Sequence, residues 1–161
     1  MKRIITLFAA LLLTLTAFAQ TGKSLYQKYS DADGVSAVYI SPAMFRLIGS
    51  IPDLEVGEEK VNLAPIIQAL EGFYILNSEN PDINSKLRAD AERFINNGKY
   101  ELLMEVKDSG ETVRMYTMGN ERTVNGFAML AAEPAEITFI SLDGQMPRKE
   151  FEALIAKAMG S

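Results

Sequence analysis

The chain has 161 residues, 16 basic and 21 acidic, and contains no cysteine, no histidine and no tryptophan. Without cysteine or histidine there is no disulfide, no usual zinc, blue-copper or haem ligand set, and no Ser-His-Asp or Cys-His nucleophile. An acidic balance with no stripe of Lys and Arg is a poor match for polyanions, so nucleic acid is not expected as a partner.

Lys2 and Arg3 precede an apolar run from Ile4 to Leu15, and Ala17-Phe18-Ala19 supplies the small-x-small pattern after which signal peptidase cuts. The run is shorter than the ~20 residues a membrane span needs. These features predict an exported protein, periplasmic or secreted: residues 1–19 a signal peptide cleaved near Ala19, residues 20–161 a single domain, and no transmembrane anchor after cleavage. No cysteine follows the cut, which excludes anchoring through an acylated cysteine.

Leu25, Tyr26 and Tyr29 have helical spacing and predict a short helix within 20–30. Val35 to Ile40 is rich in β-branched and aromatic residues and reads as a strand. Ser41-Pro42 opens a helix with apolar Met44, Phe45, Leu47 and Ile48, which Gly49 stops. Residues 50–61 read as a loop. Asn62 is the expected cap of a helix carrying Leu63, Ile66, Ile67 and Leu70, ended by Gly72. Phe73 to Asn77 reads as a second strand. Asn80-Pro81 opens the longest helix, with Ile83, Leu87, Ala91, Phe94 and Ile95 inward and Lys86, Arg88, Asp90, Glu92 and Arg93 outward; Asn97-Gly98 closes it with a left-handed cap. From Tyr100 the period changes to two. Four strands follow, Tyr100–Lys107, Thr112–Thr117, Thr123–Ala131 and Glu136–Leu142, with turns at 108–110, 119–120, 133–135 and 143–144. Pro147 starts a last helix with Phe151, Leu154, Ile155 and Ala158 inward.

This order predicts an α+β fold: one mainly antiparallel sheet ending in a four-strand meander, with helices packed on one face. A right-handed crossover through the 81–97 helix would make the sheet mixed.

Local motifs carry little chemistry. Asp31-Ala32-Asp33-Gly34 starts like a calcium loop, but the fifth, sixth and twelfth positions would be Val35, Ser36 and Pro42, so the pattern fails after two ligands. The stretch reads as a turn in which the aspartates bend the chain and Gly34 takes positive φ. Ser41, Ser78, Ser85, Ser109 and Ser141 lack a histidine and no Ser-x-x-Lys occurs, so they read as caps and turns. Met44, Met104, Met115, Met118, Met129, Met146 and Met159 are weighed as a soft Cu(I) site and read instead as core filler; Met115 and Met118, three apart, must face opposite sides of a strand. Pro52 to Lys60 carries Asp53, Glu55, Glu58 and Glu59 and reads as a solvated loop that could hold a divalent cation weakly or face a basic partner. No phosphate-binding glycine loop is present. No catalytic, cofactor-binding or metal residue is assigned, and no cofactor is expected.

The stretches "LYQKYSDADGVSAVYISPAMFRLI", "INSKLRADAERFI", "YELLMEVKDSGETVRMY" and "ITFISLDGQM", with the leader before them, resemble an uncharacterised family of small exported bacterial proteins known only as a domain of unknown function. The resemblance covers nearly all of residues 20–161. It implies an envelope location in Gram-negative bacteria and an accessory role in envelope signalling or stress response, and it supplies no catalytic residues. The expectation for function is a non-enzymatic module that binds an envelope or periplasmic protein. The alternatives are a carboxylate- or Lys-based hydrolase, which needs two titratable groups held at different pKa values in one pocket, and a structural or assembly subunit, which would leave a sheet edge or apolar patch exposed.

Overall fold

The computed structural model describes residues 21–49, 55–56 and 61–160. Its elements are α1 (Gly22–Tyr29), β1 (Val35–Ile40), α2 (Pro42–Gly49), β2 (Glu55–Val56), β3 (Val61–Asn62), α3 (Ala64–Ala69), β4 (Leu70–Ser78), α4 (Pro81–Asn97), β5 (Glu101–Asp108), β6 (Glu111–Gly119), β7 (Thr123–Ala132), β8 (Ile137–Pro147) and α5 (Arg148–Gly160). Six strands form one sheet in the order β1-β4-β8-β7-β6-β5. Every neighbouring pair is antiparallel. The α+β class and the meander β5 to β8 are as the sequence predicts. The crossover through α4 does not make the sheet mixed: it carries the chain from β4 to the far edge at β5, and β8 returns to fill the place beside β4.

Strand alternation puts Ala128 and Leu130 on one face of β7 and Phe127 and Met129 on the other. The first pair belongs to a core closed by α1 and α4, through Leu25, Tyr29, Leu87, Ala91, Phe94 and Ile95. Phe94 meets Phe139 edge-on at 5.6 Å. Each buried Leu, Ile or Phe there is worth about 1.5–3 kcal/mol of transfer free energy. The second pair packs under α3 and α5, with Ile66 and Phe151; the Phe127 and Phe151 rings lie 5.6 Å apart. Helices therefore lie on both faces, whereas one covered face was expected.

Several boundaries shift for identifiable reasons. Asn62 lies in β3, where it pairs with Glu55, so Leu63 becomes the N-cap of α3 without a side-chain hydrogen bond. Residues 55–56 and 61–62 thus form a small ladder inside the stretch read as loop. Gly72 does not stop α3: the helix ends at Ala69, and β4 already runs from Leu70, with a register shift between Leu70 and Gly72. Asp143-Gly144 does not end β8, which continues to Pro147 by pairing with β4 and β7. Gly98 keeps an ordinary φ of −77°, and Lys99 takes the left-handed turn at φ 55°.

Candidate functional site

The opening turn behaves as punctuation. Gly34 has φ 74°, the Ala32 amide donates to the Tyr29 carbonyl, and Asn80 Nδ2 donates to the Asp33 carbonyl at 2.9 Å. Asn80 is also the N-cap of α4, its Oδ1 accepting from the Asp82 amide at 3.0 Å. One asparagine thus ties the turn before β1 to the start of the longest helix. Ser41 accepts from the Met44 amide at 3.3 Å, Ser78 accepts from the Asn80 amide, and the Ser109 hydroxyl donates to Asp108; these are cap and turn roles. Of the acidic stretch 52–60, all but Glu55 and Val56 lies outside the described residues.

Asp90 departs from its expected place on the outer face of α4. It is buried, and three groups converge on it: Lys28 Nζ at 2.5 Å, the Tyr29 hydroxyl at 2.7 Å and Arg93 at 2.8 Å. Burial pushes its pKa up, but the hydrogen bonds from Lys28 and Tyr29 and the charges of Lys28 and Arg93 together outweigh that and hold it below the usual carboxylate value. This cluster clamps α1 to α4. Each of its hydrogen bonds is already made, so it has the character of a structural pin.

Two features remain open to a ligand. One is a cleft of about 470 Å³ between the start of α1 and the end of α4, whose lining includes Thr21, Glu71, Tyr100, Asn125, Asp143 and Gln145. Asp143 is half-buried, and its pKa is raised by burial and then by the neighbouring charge of Glu71; the Ser141 hydroxyl opposes this weakly. Ser141 is fully buried, and Asp143 is the group its hydroxyl acts on. Burial also raises the Tyr100 phenol, with Asp143 adding to it. Tyr74 is pushed up to about 12 by burial and by Tyr39, on which it stacks at 5.1 Å. The Asp143 carboxyl and the Tyr100 phenol, both shifted toward their proton-bound forms, share this cleft, and Tyr74 is near enough to feel the Asp143 charge.

The other feature is the face of the sheet that carries α3 and α5. Register places Val38, Ile75, Ile140, Met129, Met115 and Met104 side by side, one from each of the six strands. In the next row toward the helices Phe127 and Thr117 are buried. The row itself is half-buried, with Val38 47% exposed at one end. Beyond it lie Ala131, Val113 and Val106, the last also 47% exposed, and Leu102 and Leu103 stand exposed on edge strand β5. Three methionines expected in the core thus form the margin of an open apolar surface, while Met146 is fully buried. Met118 pairs with Gly126 and faces the cleft instead, as strand parity requires.

The sequence model of the family described as "Domain of unknown function (DUF4252)" matches residues 29–154, and the chain belongs to that family. No curated protein and no solved structure matches the chain significantly. Among the described residues, no helix is long and apolar enough to cross a membrane.

Proposed function

We propose that this member of the DUF4252 family is an exported binding module of the cell envelope, accessory to envelope signalling or stress response, and that it works through the open face of its sheet. The observation that carries the reading is the unbroken apolar row Val38–Ile75–Ile140–Met129–Met115–Met104, only half-buried at the margin of α3 and α5 and exposed at its Val38 end. Apolar surface left in water on a rigid sheet is the usual mark of a contact surface, and thioether side chains adapt to varied partners. The neighbouring β5 edge adds free backbone donors and acceptors that an extended segment of an envelope protein can pair with. The test is capture from envelope extract with residues 20–161 as bait, beside the Met115→Glu and Met129→Glu variants. A partner retained by the parent and lost by both folded variants supports the reading; no partner specific to the parent overturns it.

A second reading, a carboxylate hydrolase, is favoured by the convergence of Asp143 and Glu71 on one cleft. Asp143, whose pKa burial and the Glu71 charge raise, would serve as the acid, with Glu71 as the second carboxyl of the pair. Hydrolysis of a model ester, amide or glycoside that survives Asp143→Asn unchanged would remove it.

A further inference from the structure

We propose that Met104, Met115 and Met129 form a three-thioether site for a soft monovalent cation, Cu(I) by its chemistry. This goes beyond the contact role of the open face, and the test below separates the two.

Strand register builds the site. Met129 lies directly opposite Met115, and Met115 directly opposite Met104, so β7, β6 and β5 each give one sulfur to the same row. Residues opposite one another in an antiparallel pair have Cβ atoms about 4.5–5.5 Å apart on one face. A methionine turns about three bonds, so the outer two side chains have the reach to lean over the middle one.

An irregularity places the third sulfur. Leu102 pairs with Tyr116, which packs against the core under α4. A regular ladder would then set Met104 opposite Arg114, on that same face. Instead one residue is inserted at Leu103, and Met104 pairs with Met115. A slip of one residue turns a side chain to the other face, and bulges re-aim side chains in this way. The bulge in β5 is therefore what brings a third thioether to a row that would otherwise hold two.

The surroundings suit a soft ion. Around Met115 and Met129 this face presents Ile140, Ala131, Val113, Phe127 and Thr117, none of them charged. Mg²⁺ and Ca²⁺ need a shell of oxygen ligands, and Zn²⁺ takes imidazole, thiolate or carboxylate; uncharged thioethers select Cu(I). The chain has no cysteine and no histidine, so no stronger soft ligand competes within it. Met115 and Met129 pack against the Phe127 cluster, which steadies them, and half-burial keeps the row within reach of solvent. Met146, by contrast, is fully buried and closed to an ion.

The test uses purified protein expressed from the whole sequence. The probes are Ag(I) in chloride-free buffer and Cu(I) kept reduced under nitrogen. Native mass spectrometry is expected to show one ion per chain. In NMR the ε-methyl signals of Met104, Met115 and Met129 should move together while that of Met146 stays in place. Met104→Leu, Met115→Leu and Met129→Leu each remove one donor and conserve side-chain volume. Outer-shell partners of a metal are already worth about 10–100-fold in affinity, so loss of one donor should weaken uptake by at least about tenfold. Met44→Leu and Met118→Leu should leave uptake unchanged. If one row variant fails to fold, the other two and the methyl signals of the parent still decide. No uptake, uptake that survives all three row variants, or uptake that follows Met44 or Met118 overturns the proposal. Leucine keeps the row apolar, so capture of an envelope partner should survive these variants. Capture without metal uptake rejects this inference and leaves the contact reading standing; metal uptake without capture does the reverse.

Discussion

The two faces of the six-stranded sheet use the same alternation of side chains and end in different conditions. On the face with Leu76, Ala128, Leu130, Ile137 and Phe139, α4 crosses from β4 toward β5 and seals the apolar row with Leu87, Ala91, Phe94 and Ile95. On the other face, α3 and α5 are packed around Phe127, Met146 and Phe151, so the methionine row is left at their margin. A long helix required to span the sheet by its connection also covers it, while shorter helices packed at one end leave a surface available for contact. The same strands thus supply a core on one side and a contact surface on the other.

Paired truncations test whether the two faces differ in this way. Phe139→Ala on the sealed face is expected to cost about 3–5 kcal/mol in urea unfolding, and Met129→Ala on the open face under about 1 kcal/mol. Equal losses would mean that the open face is sealed in solution by something else. Asp90→Ala, which frees the clamp between α1 and α4, is expected to cost about 1–3 kcal/mol, because the Tyr29 hydroxyl loses its partner. Its pH dependence has a definite sign. The folded pKa of Asp90 is below 3.8, so its contribution is present above that value and is lost as pH falls through the lowered folded pKa. Melting curves of parent and variant should converge in acid; a gap that stays constant there would assign the loss to packing alone. The smallest effect concerns the cleft. Asp143 has a raised folded pKa, so its ionisation costs stability as pH rises from 3.8 through that value. Asp143→Asn should melt slightly higher than the parent at pH 7 and not at pH 3. A lower melt at pH 7 would show that the carboxylate is already paired.

Much of the architecture is legible in the sequence because it is local. Val35–Ile40, Pro42–Gly49 and Pro81–Asn97 follow from β-branched runs, a Ser-Pro start and an Asn cap, all readable within a few residues. The misreadings share one cause. Gly72 and Asp143-Gly144 have turn chemistry, yet they lie in β4 and β8, which pair with each other across about seventy residues; register there absorbs an irregularity that a single strand would treat as its end. The helical wheel places Asp90 outward, because it cannot show that Lys28 and Tyr29 arrive from the N-terminal helix. The cleft was hidden for the same reason, since Glu71, Tyr100 and Asp143 meet only once the strand order is known. A signal was available: continuing the period of two past Leu142 puts Ser141 and Asp143 on one inner face with Phe139. The open methionine row was missed because composition does not say which face a helix will cover.

The position of β8 has one more consequence. It is the last strand in the described chain and lies between β4 and β7, so the N-terminal pair β1-β4 has no strand pairing with the meander until residues 137–147 have been made. Contacts this distant in sequence form slowly, because loop closure precedes any gain from pairing. During synthesis, which runs from the N-terminus, the β1-β4 ladder and the β5-β6-β7 hairpins can each be complete while the sheet as a whole still waits for its keystone.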